Sequence, residues 1–263
     1  MKKKEPLFAE QRQEEILKII ESEEKVTVAK LSEIFAVSGS TIRSDLRELE
    51  QNKKLKRTHG GAIALTKTAY ELDIAHKKNL MTTEKRKIAE LACSMIEDGD
   101  TILLDTGTTC YQLALLLGEK KDLTVITNDF DIEAVLEHFP LVNLHFVGGE
   151  VRRGHHCTTG PDSVAMLENF HADKVFLGVN SVSIQDGLRT PDIYMAELKR
   201  KMIKIGTKVI LLCDHTKFGQ NSFVKICNLV EVDTIITDAS IDPAYRNGIE
   251  EQGVQIMTAE HVK

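Results

Sequence analysis

The sequence has no long apolar run, few cysteines and neither of the common nucleotide-binding signatures. No stretch approaches the roughly 18 apolar residues that a membrane-spanning helix needs. The N-terminal MKKKEPLFAEQRQEE is basic at its start but lacks an apolar block, so we expect no secretory signal. The five cysteines never form CxxC, which indicates reduced thiols in a cytoplasmic protein. The chain also lacks GxGxxG and GxxxxGK followed by Ser or Thr, so neither usual nucleotide signature applies.

Charge is unevenly distributed along the 263 residues, whose formal net charge is −6. Residues 1–67 carry 14 Lys and Arg against 11 Asp and Glu, whereas the remainder carries 20 against 29. Residues 51–67 contain five basic side chains and no acidic one. The length leaves room for two domains, and a mildly basic part joined to an acidic part indicates that the two have different tasks.

Residues 1–66 are predicted to form three short helices followed by a hairpin. The apolar residues among positions 16–20 and those of the stretch TVAKLSEIF supply the buried faces of the first two helices. Ser38 lies in the tight turn AVSGS, where its hydroxyl can cap the third helix, GSTIRSDLRELE. The following LKRTHGGA predicts a short basic strand and a glycine turn, which together make a β-hairpin.

The third helix has an apolar inner face and an outer face without an acidic side chain. The inner positions, spaced i, i+4 and i+7, are Ile42, Leu46 and Leu49. The outer positions, spaced i, i+3, i+4 and i+7, are Ser40, Arg43, Ser44 and Arg47. Such an outer face suits the major groove of DNA, because Arg makes bidentate contacts with guanine and hydroxyls meet bases or phosphates. A solvated amphipathic helix beside a surface hairpin is the alternative.

The order of helices, turn and basic hairpin favours a winged helix-turn-helix domain over residues 1–66. The residues predicted to contact DNA are Ser38, Ser40, Thr41, Arg43, Ser44 and Arg47 in the turn and third helix, and Lys56, Arg57 and His59 in the hairpin. Residues 67–82 are polar, without a run of Pro or Gly, and are predicted to be a short linker.

Residues 83–263 alternate apolar, strand-like runs with helical patterns. The predicted strands are TILLD, LTVIT, NLHFVG, KVFLGV, KVILLC and TIITD. Several of them are almost continuously apolar, as expected of strands that are buried on both faces. This alternation predicts an α/β domain with a mainly parallel sheet, in which ligands bind outside the carboxyl ends of the strands.

The stretch DTGTT, residues 105–109, lies where such a ligand is expected. Gly107 lets the backbone approach a ligand closely, and the amides of Thr108 and Thr109 open a helix whose positive end favours an anion. A phosphate is the expected ligand, although an ordinary capped helix after a strand explains the same residues. Polar groups at other strand ends supply charges for a phosphate and acceptors for sugar hydroxyls. The complete predicted effector site is Asp105, Thr106, Gly107, Thr108, Thr109, Asn128, Gly148, Gly149, Arg152, Glu197, Asp214 and Lys217.

Both parts of the sequence resemble the DeoR family of bacterial transcription regulators. The N-terminal likeness covers TVAKLSEIFAVSGSTIRSDLRELEQNKKLKRTHGGA, and the second part matches in order DTGTT, VITN, GGEVR, DKVFLGV, CDHTKFG and DTIITD. The resemblance implies a ribose-5-phosphate isomerase-like fold for the second part. It also implies that this part binds a phosphorylated sugar or a related intermediate, and that binding alters the affinity for DNA.

Two departures from the family pattern bear on these sites. Ser44 stands where a second Arg is common, which removes one DNA contact from the third helix. Asp129 stands where Ser is common. A carboxylate at that position would repel a phosphate unless it faced a hydroxyl.

We therefore expect a DNA-binding transcription regulator rather than an enzyme. The resemblance implies that the protein is a repressor of a carbohydrate-metabolism operon and that a phosphorylated sugar releases it from DNA. The expected partners are an operator in double-stranded DNA, the sugar phosphate and further copies of the chain, because winged helices usually act as dimers. No membrane, cofactor or metal is expected to take part.

A sugar-phosphate isomerase or transferase is the first alternative. It would use as acid–base groups Asp105, Glu197, Asp214 and Lys217. An enzyme of this kind has no need of the N-terminal DNA-binding domain, which argues against it. Glu197 has a simpler interpretation as an i,i+4 partner of Lys201.

A metal- or redox-sensing regulator is the second alternative. Its candidate residues are Cys110, His155, His156 and Cys157. Adjacent histidines point apart, however, and no second cluster has the spacing of metal ligands. No basic neighbour in the sequence activates the thiol of Cys110, which is more simply a small buried residue.

Overall fold

The computed structural model describes residues 8–23, 25–52, 54–58, 60–63 and 71–259. It divides the chain into two compact units, Met1–Tyr70 and Glu71–Lys263. The linker predicted over residues 67–82 differs from this division, because residues 71–82 belong to the second unit. Residues 67–70 lie outside the described ranges. None of the described helices is both long and apolar enough to cross a membrane.

The first unit contains the predicted three helices and hairpin. Its elements are α1 (Ala9–Glu23), β1 (Lys25–Thr27), α2 (Val28–Phe35), α3 (Gly39–Gln51), β2 (Lys56–Thr58) and β3 (Gly61–Ile63). β3 pairs with β2 in the hairpin and, on its other side, with β1, a strand that the sequence did not predict. The three helices meet in one core, whose members include Ile16, Ile20, Leu31, Ile42, Leu46 and Leu49.

Hydroxyl caps fix the starts of α2 and α3. Thr27 accepts a hydrogen bond from the Lys30 amide at 3.2 Å, and Ser38 accepts one from the Thr41 amide at 3.2 Å. Ala36 ends α2 in the left-handed region, with a φ of 52°. Because a cap satisfies amides that the first helical turn leaves free, Ser38 sets the start of α3, as predicted.

A buried ion pair holds α1 against α3. The Arg12 guanidinium donates to both carboxylate oxygens of Asp45, at 2.6 and 3.0 Å, and both side chains are less than a tenth exposed. Hydrogen bonding to Asp45 raises the pKa of Arg12, so the guanidinium is charged. The inward position of Asp45 also keeps its carboxylate away from the outer face of α3.

Replacing Arg12 with Ala is expected to destabilise the first unit by about 3–5 kcal/mol, because the Asp45 carboxylate is left buried without its partner. The double variant Arg12→Met/Asp45→Leu removes both charges and should recover most of this loss. Hydrogen exchange of the α3 amides in the full chain measures the free energy of opening. Equal losses in the single and the double variant would show that packing, rather than an unpaired charge, dominates.

The second unit is the predicted α/β domain. Its helices are α4 (Ile74–Lys78), α5 (Thr82–Cys93), α6 (Thr108–Ala114), α7 (Phe130–Leu136), α8 (Pro161–Leu167), α9 (Ile193–Ile205) and α10 (Pro243–Glu250). Its strands are β4 (Thr101–Leu104), β5 (Leu123–Thr127), β6 (Val142–Phe146), β7 (Glu150–Arg152), β8 (Cys157–Thr159), β9 (Ala172–Gly178), β10 (Ser181–Ser183), β11 (Gly187–Thr190), β12 (Gly206–Leu212), β13 (Val224–Cys227), β14 (Thr234–Asp238) and β15 (Gln255–Ala259). Short 3₁₀ turns cover Leu117–Glu119, His215–Lys217 and Leu229–Glu231.

A seven-stranded parallel sheet forms the centre of this unit. Its strand order is β15-β14-β12-β9-β4-β5-β6, and every neighbouring pair is parallel. Both faces are packed, since Leu103 belongs to one apolar cluster and Ile102 and Leu104 to another. All six predicted strands are present. The sequence missed the edge strand β15, whose residues are only partly buried and do not form a continuous apolar run.

The helix after DTGTT is shorter than its apolar pattern indicates. It is predicted to run through Leu117, but α6 ends at Ala114 and a 3₁₀ turn begins at Leu117. Leu113, Ala114 and Leu117 are nevertheless all fully buried. The apolar spacing therefore reports packing on the sheet and not one continuous helix.

The order of the strands reverses at β4. From β4 the sheet continues to β5 and β6 on one side, and to β9, β12, β14 and β15 on the other. In open parallel sheets, ligands bind at the carboxyl ends of the strands beside such a reversal. The segment DTGTT follows β4 and is at that position.

Candidate functional sites

The predicted outer face of α3 faces solvent. Its exposed side chains are Ser38, Ser40, Arg43, Ser44 and Arg47, and Thr41 is half-buried. The Ser38 hydroxyl contacts the hydroxyls of Ser40 and Thr41 at 2.7 and 2.9 Å. Neither exposed arginine has an ion-pair partner among the residues that the structure describes. This face therefore offers guanidiniums and hydroxyls to base edges and phosphates.

The hairpin of β2 and β3 follows α3. Glu50 accepts a hydrogen bond from the Arg57 amide at 3.0 Å, and its carboxylate lies 3.9 Å from the Arg57 guanidinium. An ion pair at this exposure contributes about 1 kcal/mol or less, so a DNA phosphate can replace Glu50. The Lys56 side chain and His59, both predicted DNA contacts, lie outside the described residues, and only the backbone of Lys56 is placed, in β2.

Asp105 joins the ends of β4 and β9. It is fully buried, and its Oδ2 accepts hydrogen bonds from the Gly178 amide at 2.8 Å and from the Lys199 ammonium. Lys199 also donates to the Gly178 carbonyl at 3.1 Å. The sequence analysis missed Lys199, because its partner is 94 residues earlier in the chain.

Asp129 holds the DTGTT loop from the neighbouring strand end. Its Oδ2 accepts hydrogen bonds from the Thr106 hydroxyl at 2.6 Å and from the Gly107 amide at 3.2 Å. Its Oδ1 caps α7 by accepting from the amides of Asp131 and Ile132, at 2.9 and 3.0 Å. Burial raises the pKa of Asp129, and these hydrogen bonds only partly oppose it. The carboxylate faces a hydroxyl, which is the condition under which it does not conflict with a phosphate.

The start of α6 has the geometry of an anion site. Gly107 precedes the helix with a φ of 132°, a conformation that other residues rarely adopt, and a Cβ placed on it meets no atom within 4 Å. The amides of Thr108 and Thr109 have no acceptor among the described residues. Amides without an acceptor at the start of a helix favour a bound anion.

Two buried oxygens at the same strand ends lack donors. Asp105 Oδ1 and Asn128 Oδ1 are fully buried and have no hydrogen-bond partner in the described part of the chain. Asn128 Nδ2 donates to the Thr158 carbonyl at 2.8 Å, which fixes the orientation of this amide. Because a buried acceptor without a donor is destabilising by about 1–3 kcal/mol, a ligand hydroxyl at either oxygen would be favourable.

Gly149 has a packing role. A Cβ on Gly149, whose φ is 146°, would lie 2.0 Å from Ser163 Oγ, so the close approach of this loop to α8 requires a glycine there. The Gly148 carbonyl accepts a hydrogen bond from Ser163 Oγ at 2.7 Å, but a Cβ on Gly148 would meet no atom within 4 Å. The contact of both glycines with an effector stays a prediction.

Arg152 is paired with a residue that the sequence analysis placed in the linker. Its Nη2 donates to Glu71 Oε2 at 2.7 Å, and Glu71 Oε1 accepts from Lys77 and, at 3.0 Å, from Asn180 Nδ2. Burial alone would raise the pKa of Glu71, but Lys77 and Arg152 outweigh burial and lower it. These contacts attach Glu71 and Lys77 to the second unit, and Ile74 of the same segment is buried. Arg152 Nε also lies 3.7 Å from Asp192 Oδ2.

Asp214 and Lys217 lie together after β12. Lys217 Nζ is 3.9 Å from Asp214 Oδ2. Burial would raise the pKa of Asp214, but Lys217 and hydrogen bonds from Thr216 outweigh burial and lower it. Burial, together with repulsion by Lys217 and Arg152, lowers the pKa of Lys77. Lys77 therefore lies within electrostatic range of both Arg152 and Lys217, and we call these three side chains the cationic cluster.

The structure does not bring Glu197 to the other predicted site residues. Its side chain is exposed on α9, and no described hydrogen bond or ion pair joins it to them. The inward position on this helix is Lys199, two residues later. The i,i+4 interpretation also differs from the structure, because Lys201 pairs with Glu168 at 3.0 Å.

The residues of the metal or redox alternative point in different directions. His155 is half-buried beside Glu71, whereas His156 is exposed and lies 3.2 Å from Asp131. Burial raises the pKa of Cys157 to about 11 and that of Cys110 well above its ordinary value, so neither thiol is activated. Within the described ranges, no group of three His, Cys, Asp or Glu side chains could hold a metal ion.

Comparison with known proteins agrees with this geometry. Residues 12–68 match the DeoR-like helix-turn-helix domain, and residues 80–239 match the DeoR C terminal sensor domain. Two relatives from Bacillus subtilis (strain 168) extend over nearly the whole chain. The uncharacterized HTH-type transcriptional regulator YulB is 32% identical over 250 residues (95% of this chain, 96% of the relative). The HTH-type transcriptional repressor GlcR is 32% identical over 254 residues (97% and 98%).

The N-terminal unit and its exposed recognition helix α3 define a helix-turn-helix DNA-binding protein. The chain belongs to the DeoR family of transcription regulators. This confirms the prediction of a regulator rather than an enzyme. Among solved structures, ribose 5-phosphate isomerase A from Methanocaldococcus jannaschii aligns with a TM-score of 0.39 and 18% identity over 52% of this chain and 54% of that chain. A likeness at this level carries no argument about activity.

Replacing Lys199 with Met should destabilise the second unit by about 3–5 kcal/mol, because the buried Asp105 carboxylate loses its counter-ion. The double variant Asp105→Asn/Lys199→Met keeps an acceptor for the Gly178 amide, so it should lose less stability than Lys199→Met. Lys174→Met is the control, since it breaks a more exposed pair with Asp100 at the opposite end of β4. Urea unfolding measures all three, and a double variant as unstable as the single one would contradict this account of the pair.

Proposed function

We propose that this protein is a transcriptional repressor whose affinity for an operator changes when a phosphorylated sugar binds at the carboxyl ends of β4 and β5. The observation that supports the effector assignment is the pair of amides, of Thr108 and Thr109, that have no acceptor among the described residues and follow Gly107, where a Cβ would meet no atom within 4 Å. The cationic cluster supplies positive charge for the phosphate. The relative GlcR is named a repressor, which supports that sense of regulation here.

The sugar part of the effector is inferred from the acceptors around the loop. Asp105 Oδ1 and Asn128 Oδ1 are buried without donors, and a ligand rich in hydroxyls would supply them. An inorganic anion would satisfy the amides of α6 but leave these two acceptors unpaired. A polyhydroxylated phosphate therefore fits the described groups better than a simple anion does.

DNA binding by this chain is proposed to involve further copies of it. Helix-turn-helix proteins commonly bind two half-sites about 34–36 Å apart, or a multiple of this distance, through paired recognition helices. The acidic second unit would supply the contacts between copies, in a cytoplasmic regulator. Effector binding then alters the affinity for DNA by favouring one of two states of the assembly.

Arg43→Ala tests the recognition helix. We expect a loss of at least about tenfold in affinity for an operator duplex selected by the wild-type protein from a random pool, because a bidentate base contact contributes about 1–3 kcal/mol. Arg86→Ala is the control, since Arg86 is an exposed arginine on α5 of the other unit. A gel-shift titration at several salt concentrations measures both variants. Unchanged affinity in Arg43→Ala, or binding that does not weaken as salt rises, would contradict the assignment.

Gly107→Ala tests the effector loop. A thermal-shift panel of phosphorylated sugars first identifies a ligand, which at 100 times its Kd should stabilise the wild-type protein by about 2.7 kcal/mol. The alanine at position 107 adds a Cβ on the open side of the loop at a strained φ, so it should abolish this shift. Gly99→Ala is the matched control, because Gly99 has a φ of 85° and is equally open. A shift retained in Gly107→Ala, or none with any phosphorylated sugar, would remove support for the site.

A further inference from the structure

Glu71 is bound on three sides by groups from different elements. Its carboxylate accepts from Arg152 of β7, from Lys77 of α4 and from Asn180 beyond the end of β9. The side chain is only 10% exposed. It is also the first residue of the second unit, directly after the boundary with the DNA-binding unit.

Two of these partners belong to the cationic cluster that the proposed phosphate needs. Arg152 pairs across the β7–β8 hairpin with Cys157, and the Cys157 thiol lies close to Thr106 of the DTGTT loop. Lys77 lies within electrostatic range of Lys217. A carboxylate and a phosphate are interchangeable partners for Arg and Lys, and the phosphate forms the stronger set of charge-assisted hydrogen bonds. Glu71 therefore holds the cations that an anionic ligand would use.

The segment Glu71–Asn79 is attached to the rest of the unit mostly through polar contacts. The Ile74 amide donates to the Gly154 carbonyl at 2.9 Å, and Lys78 pairs with Asp131 at 2.9 Å. Lys78 also lies 5.2 Å from the centre of the Tyr111 ring, so α4 is placed against the first turns of α6 and α7. Of the α4 side chains, Ile74 is the buried one. Moving this segment would therefore expose Ile74 and break these polar contacts.

We propose that Glu71 is a built-in occupant of an anion subsite formed by Arg152 and Lys77, and that the effector's phosphate displaces it and releases the segment Glu71–Asn79. This inference rests on the proposed effector site. The displaced segment is covalently continuous with the DNA-binding unit, so its release changes how that unit is tethered. We call the segment Glu71–Asn79 the clasp; it is closed when Glu71 binds Arg152 and Lys77, and open when Glu71 is displaced. Because the ligand binds only the open state tightly, its apparent affinity is its affinity for the open state multiplied by the fraction of molecules that are open.

Glu71→Gln tests the clasp by calorimetric titration with inorganic phosphate. If the clasp is closed in about nine molecules of ten or more, the variant should bind phosphate at least about tenfold more tightly than the wild type. Asp100→Asn is the matched control, since Asp100 is 12% exposed and pairs with Lys174 before β4, at the opposite end of the sheet. Its phosphate affinity should equal that of the wild type.

Asn180→Ala separates displacement from simple charge repulsion. This variant keeps the charge of Glu71 and removes only one of its hydrogen bonds, so the clasp predicts phosphate binding that is about threefold to tenfold tighter. Repulsion alone predicts no change. The variant also keeps the test valid if Glu71→Gln does not fold.

Hydrogen exchange of residues 71–79 gives a structural readout. In the wild type, saturating phosphate should accelerate exchange in this segment at least about tenfold, and Glu71→Gln should exchange rapidly without phosphate. If the wild type binds phosphate while neither variant binds it more tightly, or the segment becomes more protected, the clasp is wrong and the effector site stands. If wild type and variants alike bind neither phosphate nor any phosphorylated sugar, the effector site itself fails and the clasp with it.

Discussion

The fully buried carboxylate of Asp105 is the constraint on which the proposed effector site depends. It satisfies the Gly178 amide at 2.8 Å and neutralises Lys199, which in turn satisfies the Gly178 carbonyl at 3.1 Å. The strand order reverses between β4 and β9, and without this pair the reversal would leave polar backbone groups unpaired in the interior. Gly178 also has to be small, because a Cβ there would lie 3.1 Å from the Thr106 carbonyl oxygen.

Asp129 extends this constraint to the loop itself. One of its oxygens binds Thr106 and Gly107, and the other caps α7, so the ends of β4 and β5 move as one piece. Both carboxylates point at donors of the chain and leave the amides of α6 free. Lys199 neutralises the charge of Asp105, and the hydroxyl and amide donors around Asp129 partly offset its charge, so the repulsion of an anion at the proposed site is reduced.

The parts of the fold that local pattern determines could be predicted from the sequence. Strand-like apolar runs identified six of the seven strands of the central sheet, and the hydroxyl of Ser38 identified the start of α3. Long-range ion pairs could not be predicted, because nothing in local spacing identifies a partner 81 or 94 residues away. For this reason the sequence indicated the exposed Glu197 but not the buried Lys199. It also indicated a linker over residues 67–82, of which Glu71 is attached to the second unit by ion pairs.

In each unit, a buried ion pair keeps an acidic side chain away from the surface that is proposed to bind a ligand. In the first unit, Arg12 draws Asp45 inward and leaves α3 with an acid-free outer face; in the second, Lys199 draws Asp105 inward beside the anion loop. Net charge is a poor guide to either surface, because what a ligand meets depends on which charges are already paired. Glu71 is the exception, since its carboxylate is paired with the cations of the site itself. An ion pair that only stabilised the fold could involve any cation of the domain. An ion pair that an incoming anion displaces must involve the cations that the anion binds, and in the proposed site these are Arg152 and Lys77.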